Sequence, residues 1–334
     1  MSSPHVSTMA KIAQMVAVFS LFVASCFAQT PALKVLPWNG HAAAVSLTFD
    51  DARAVHLNVA IPELNKRHLH GTFFLIVSKL TRLDDWRKAQ SQGHEIGNHS
   101  VSHLHSADLT KETEETQVED AKNFLDSNFK SNTIIFAYPY TEISPGLAYW
   151  VKRYDFAARG GRGENNQLFI RSDVQPDWYN LPSQASCSKC DTTVYEGWID
   201  QATSTHTWTI LQIHGIGDPS TGFEPIPTNT FIYLLDYLKA KEAEGLWVAP
   251  FGEVAAYLRA QKILEAAQAQ VADHEERLSW AAPVPFPQGV VLKATVNEPK
   301  HTRLYQGGHE LRPNKNGVYS ISFDSRELVV KGGL

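Results

Sequence analysis

Cysteine is scarce in this chain, with three among 334 residues. So few thiols exclude a disulfide-dense small scaffold and cannot furnish a four-thiolate zinc site. Long Lys/Arg runs are missing too, and the net charge is −5. Neither nucleic acid nor an anionic membrane surface is then expected as the main partner. Tryptophan is absent beyond Trp280, which leaves Tyr305, Tyr319 and Phe323 as the tail's only candidate stacking rings. What is present is an ordinary folded composition, 43% hydrophobic and 19% charged. That length and composition suit one large domain plus something smaller.

The N-terminus reads as a signal peptide over residues 1–28. Lys11 is followed by an apolar run to Ala24, no charge recurs until Lys34, and Cys26-Phe27-Ala28 suits cleavage. Met9 is an alternative start. The mature protein is then expected to be secreted or periplasmic, with no membrane span. A lipoprotein anchored through Cys26 is the first rival, because Val23-Ala24-Ser25-Cys26 resembles a lipidation site. An uncleaved anchor is the second, though Gln14, Ser20, Ser25 and Gln29 make a poor span. Export also favours a local disulfide between Cys187 and Cys190.

After the leader, apolar runs alternate with amphipathic stretches. Residues 43–49 read as a strand running into Asp50 and Asp51, and residues 72–77 as a second. A helix from Leu83 ends at Gly93. Val118, Ala121 and Leu125 recur at i, i+3 and i+7, so residues 110–127 form an amphipathic helix. Further strands are expected at 133–138, 156–158, 208–214 and 246–248, with helices at 228–244 and 251–276. Such alternation implies an α/β fold with a parallel sheet and outer helices. The main domain is placed at residues 35–280. The proline-rich stretch 281–289 cannot continue a helix and reads as a linker. Residues 290–334 carry short β-like runs, a small β-rich C-terminal module docked on the main domain.

Three short strings carry the chemistry: Thr48-Phe49-Asp50-Asp51, His99-Ser100-Val101-Ser102-His103 and Leu211-Gln212-Ile213-His214. An acid pair alone is commonly a turn or a cap, and a lone His pair at i, i+4 is more often solvated than ligating. All three in this order, each after a strand-like segment, weigh against those readings. Asp51 closes a strand, and His99 and His103 face one side if their segment turns helically. Together they can hold one divalent metal with open positions and hydrolyse an amide or ester beside it. His94 and His105 read as surface or supporting groups.

This combination resembles the polysaccharide deacetylases, the NodB-homology group that forms carbohydrate esterase family 4. Glu95-Ile96-Gly97-Asn98-His99-Ser100 matches the family's approach to its His-x-x-x-His motif, and Gly71-Thr72-Phe73-Phe74 resembles its second strand. The likeness covers roughly residues 43–258. It implies a distorted (β/α) barrel and a divalent metal held by Asp51, His99 and His103. Zinc is the first expectation, with Co2+, Ni2+ or Fe2+ also admissible. The resemblance makes Asp50 the general base and takes an oxyanion donor from the backbone of Tyr140. It makes His214 the general acid for a leaving amine.

One motif departs from the family pattern. It reads Ala137-Tyr138-Pro139-Tyr140, with alanine where the family carries an arginine paired to the catalytic aspartate. Asp50 is then expected to titrate higher unless another group compensates, with Arg159, Arg162 and Arg171 as candidate substitutes. The aspartate that tunes the family's catalytic histidine is expected at Asp173 or at Asp177-Trp178. The activity implied is N-deacetylation of an extracellular or cell-wall polysaccharide. Alternatives are an O-acetyl carbohydrate esterase with the same site, and a catalytically weakened glycan-binding relative. A non-haem iron oxygenase uses a similar donor set, but usually in another order and on an all-β barrel.

Overall fold

The computed structural model describes residues 33–130, 132–162, 167–272 and 275–332. The expected signal segment and Cys26 lie outside the described residues. Strand β1 (Leu33–Val35) precedes β2 (Ala43–Asp50), which is buried along its whole length. Alternation follows: α1 (Ile61–Lys66), β3 (Thr72–Leu75), α2 (Leu83–Ser91), β4 (Glu95–Asn98) and α3 (Lys111–Asn128). Next come β5 (Ile135–Ala137), α4 (Pro145–Tyr154), β6 (Ala157–Arg159) and two short strands, β7 (Ile170–Arg171) and β8 (Gln184–Ala185). Then α5 (Thr192–Ser204), β9 (Thr207–Ile213), α6 (Thr228–Ala243), β10 (Leu246–Val248) and α7 (Phe251–Glu265) complete the α/β part. Local chemistry sets several helix starts. Thr110 and Thr113 form a capping box for α3, and Ser144 and Asp191 accept N–H groups at the starts of α4 and α5.

The strands run in the order β6-β5-β4-β3-β2-β9, all parallel. One edge of β2 pairs with β9, while the other is shared between β10 near its start and β3 near its end. From β6, Arg159 bridges Leu181, and β8 just beyond it pairs with β9. The ring of pairings therefore closes irregularly, giving the distorted barrel that the family resemblance implied. Side chains alternate along β2. Val45, Leu47 and Phe49 pack outward among Leu64, Trp86, Phe231 and Leu235 of the helical layer. The intervening Ser46, Thr48 and Asp50 take the opposite face of the strand, and all three are buried. That alternation turns the last residue of β2 inward at the mouth.

Seven more strands follow: β11 (Gln268–Ala272), β12 (Glu275–Ser279), β13 (Val291–Val296), β14 (Thr302–Gln306), β15 (His309–Leu311), β16 (Tyr319–Ser322) and β17 (Glu327–Gly332). They form two antiparallel sheets, ordered β11-β12-β17-β14-β15 and β1-β13-β16. Leu292, Leu304, Ile321, Phe323 and Leu328 belong to one core with Val254 and Leu258 of α7. The helix expected to reach residue 276 ends at Glu265 instead. Residues beyond it fold back as the β11–β12 hairpin, because β17 supplies a pairing edge for β12 from far along the chain. A division at residue 280 thus cuts through a sheet. Among the described residues no helix is long and apolar enough to cross a membrane.

Candidate metal centre and active site

Every residue singled out for chemistry lies at or just past the C-terminal end of a parallel strand. Asp50 ends β2, His99 follows β4, Ala137 ends β5, Arg159 ends β6 and His214 follows β9. Parallel barrels gather side chains at this mouth for that reason.

Asp51 leaves β2 with φ of 79°, a left-handed turn that separates its side chain from that of Asp50. Arg53 donates to Asp51 Oδ2 through Nε at 3.1 Å and through its terminal nitrogen at 2.8 Å. The other oxygen, Oδ1, faces His99 Nε2 at 3.6 Å and His103 Nε2 at 3.5 Å. One ligand atom from each of the three residues lies within 4.8 Å of the others. The His99–His103 segment is not the helical turn expected from its spacing. Ser100 and His103 both adopt left-handed φ, and Asn98 Oδ1 and Ser100 Oγ accept the Ser100 and His103 N–H groups at 2.9 Å each. These side-chain bonds replace helical ones and still bring the imidazoles to 4.7 Å between ring centres.

His99 Nδ1–H donates to the Ala137 carbonyl at 2.7 Å, which fixes the tautomer and frees Nε2. His99 Nε2 and Asp51 Oδ1 are buried and have no hydrogen-bond partner among the described residues. These two unsatisfied atoms, with His103 Nε2 converging beside them, fit a divalent cation. Burial lowers the His99 and His103 pKa, the latter to about 4, against the pull of Asp50 and Asp51. Burial raises that of Asp51, but the imidazole of His99 and the Arg53 hydrogen bond outweigh it. A neutral imidazole beside an ionised carboxylate is the ligand-ready state.

Asp50 sits behind this trio with its side chain 1% exposed. Its Oδ2 accepts from Arg159 at 2.5 Å and Gln212 Nε2 at 3.0 Å, with His214 Nε2 at 3.6 Å. Burial raises its pKa, yet Arg159, His99 and His214 together hold it well below the usual carboxylate range. Arg159 is thus the compensating group, and Asp50 does not titrate higher for lack of an arginine at position 137. Of the three candidate arginines, Arg159 makes the contact, while Arg171 pairs with Asp173 at the surface and Arg162 is exposed. Ala137 and Arg159 are partners in the β5–β6 register, so the guanidinium arrives from the neighbouring strand at the same level.

The expected partners of His214 do not reach it. Asp173 is occupied by Arg171, and Asp177 closes a local turn onto the Tyr179 N–H at 2.9 Å. His214 Nδ1 is buried without a partner among the described residues. Its backbone carbonyl instead accepts from His56 Nε2 at 2.6 Å. His56 lies in a one-turn π-helix over His56–Ala60, and its ring packs against Phe49 and Phe73. Its pKa falls to about 4, mainly through burial. The sequence offered no signal for His56. Gln212 did offer one, as a polar residue inside an apolar strand. Tyr140 has left-handed φ of 54°, and its ring stacks on His105 at 3.6 Å and meets His103 edge-on at 4.5 Å. His94 is structural, bonded to the Gly71 N–H and to Asn65.

A barrel mouth with a two-histidine, one-carboxylate cluster beside an aspartate–histidine pair has the form of a hydrolase centre. Residues 39–158 match the family model described as polysaccharide deacetylase. YxkH of Bacillus subtilis, assigned as a polysaccharide deacetylase, is 27% identical over 100 residues, covering 28% of this chain and 36% of that protein. The peptidoglycan-N-acetylglucosamine deacetylase of Bacillus cereus is 29% identical over 84 residues, 25% of this chain and 39% of that one. The match thus spans well under two thirds of either relative. A family 4 acetyl xylan esterase from Clostridium thermocellum, solved with a cobalt ion, aligns at 22% identity with a TM-score of 0.46, covering 63% of this chain and 89% of that one. Over residues 39–158 this chain is thus similar to the polysaccharide deacetylase family.

Proposed function

We propose that the protein is a metal-dependent hydrolase that removes N-acetyl groups from a polysaccharide outside the cytoplasm. The observation that carries this reading is the convergence of Asp51, His99 and His103 on one point directly beside the Asp50–His214 pair. A divalent ion bound there, zinc first, supplies Lewis-acid activation of water and of the acetyl carbonyl. Asp50, ionised and held by Arg159 and Gln212, accepts the proton of the attacking water. The Tyr140 N–H offers a donor to the developing oxyanion. His214, anchored through its carbonyl by His56, protonates the leaving amine. The Cys187–Cys190 disulfide, with Cα atoms 5.1 Å apart, supports an oxidising compartment and hence the secreted or periplasmic placement.

The test is acetate release from chitin oligomers, peptidoglycan and acetylated xylan, with chelator and with added cation. Release from the N-acetylated substrates that chelation abolishes supports the proposal. Release confined to acetylated xylan transfers the site to O-acetyl esters. Glycan binding without release from any substrate, with metal supplied, makes it a binding relative.

A further inference from the structure

We propose that Phe223 is a sugar-stacking platform, held beside His214 by a loop fastened to the Cys187–Cys190 disulfide. This rests on the reading of the centre as a glycan deacetylase. Phe223 is 66% exposed, and its ring meets the His214 imidazole edge-on at 5.6 Å. A single exposed phenylalanine is ordinary on a protein surface. Its neighbours make this one different.

The loop between β9 and α6 is tightly stitched. Gly217 N–H donates to the Ile226 carbonyl at 2.8 Å and Ile226 N–H to the Gly215 carbonyl at 3.0 Å. Thr221 Oγ accepts from the Ile216 N–H at 3.1 Å and donates to the Asp218 carbonyl at 2.7 Å. Gly215 and Gly222 press so closely that a Cβ on either would come within 3 Å of the other's backbone nitrogen. Glu224, the next residue after Phe223, is held at a left-handed φ of 39°. Such strain persists only where the surroundings fix it, and it gathers at ligand clamps. Here the fixing comes from Ser188, whose N–H and hydroxyl donate to Glu224 Oε2 at 2.9 and 2.6 Å. Ser188 lies inside the Cys187–Cys190 loop, which the disulfide closes at the start of α5.

A solvated aromatic on a mobile loop would stack weakly, because binding would have to order it. One pre-set by a strained, doubly anchored neighbour presents its face at little further entropic cost. The apolar C–H face of a pyranose ring suits the electron-rich face of a phenyl ring. Its place beside the proposed general acid assigns it to a sugar ring next to the one being deacetylated. Tyr140, 49% exposed, holds a matching position beside His103. A glycan chain crossing the mouth would then meet one aromatic at each flank.

The experiment compares wild type, Phe223→Trp, Phe223→Ala and Glu224→Ala on an N-acetylglucosamine tetramer and on acetylated xylotetraose. Acetate-release kinetics are paired with calorimetric affinity for the deacetylated tetramers. Phe223→Ala is expected to raise KM and weaken calorimetric affinity about tenfold, an order set by the loss of one aromatic contact. kcat should move less than twofold, Phe223→Trp should retain affinity, and Glu224→Ala should fall between. Unchanged affinity in Phe223→Ala, or an equal loss in kcat with no change in affinity, overturns the platform. Absence of saturable binding to either tetramer by wild type overturns it as well. Tetramer binding that depends on Phe223 without any acetate release would sustain the platform while refuting the deacetylase reading.

Discussion

Arg159 on β6 lies in register with Ala137 on β5, and its guanidinium reaches Asp50 at 2.5 Å. Partners in a parallel ladder point to the same face, so an arginine at either position addresses the same space. Asp50 carries a nearly fully buried charge, and Arg159 is the cation that compensates it. Arg159→Ala should therefore lower unfolding stability by about 3 kcal/mol, the cost of stranding one member of a buried pair. It should also reduce acetate release steeply with metal content retained. The double variant Ala137→Arg/Arg159→Ala returns the cation from the other strand. Recovery of most turnover and stability is expected, and kinetics with urea unfolding on the three proteins would reveal its absence.

The two aspartates separate by role. Asp50→Asn keeps shape and hydrogen-bond capacity but accepts no proton, so turnover should fall by about 10²–10⁴. Metal content should stay near wild type. Asp51→Asn should instead weaken metal binding, with partial recovery of activity at high added cation. Near wild-type turnover in Asp50→Asn at saturating metal would mean that another residue is the base.

Glu95 gives a pH signature remote from the mouth. Its carboxylate is enclosed at the start of β4, accepting from Thr72 Oγ at 2.7 Å and the Gly252 N–H at 2.8 Å. Burial pushes its pKa up to about 7, from an ordinary value of 4.5, despite those two bonds. Between these values the unfolded chain has released the proton and the folded chain still holds it. Stability therefore falls as pH rises through that window, by on the order of 3 kcal/mol in all. Glu95→Gln keeps an acceptor and should flatten the decline in urea midpoints between pH 5 and pH 8. An unchanged slope would refute the assignment.

The C-terminal strands are load-sharing parts of the fold. Deleting residues beyond 283 strips β1 of β13, strips β12 of β17 and bares the α7 face that packs on Leu292 and Ile321. The truncated chain is expected to lose soluble, cooperatively unfolding protein. A truncated chain with an unchanged melting midpoint would instead favour a detachable module.

The site was legible where chemistry and strand ends coincide in sequence. Asp50, Asp51 and His214 close apolar runs, His99 follows a short strand-like segment, and a parallel sheet carries such positions to one mouth. Partners brought in from other strands were not legible to the same degree. Arg159 was one of three candidates until the β5–β6 register selected it. His56 meets the His214 carbonyl across 158 positions, with no motif to announce it. Spacing suggested a helical turn for His99–His103, but Asn98 and Ser100 side chains stitched a tighter one. The helix end at Glu265 was set by the pairing of β12 with β17, some fifty positions later, which local periodicity cannot register.

The most direct test of the account is elemental analysis of the purified wild-type chain beside His103→Ala, after equilibration with Zn2+ and removal of free ion. One ion per wild-type chain and none in a folded His103→Ala protein is the predicted result. Equal occupancy in the two proteins would contradict the assignment of Asp51, His99 and His103 as the metal centre.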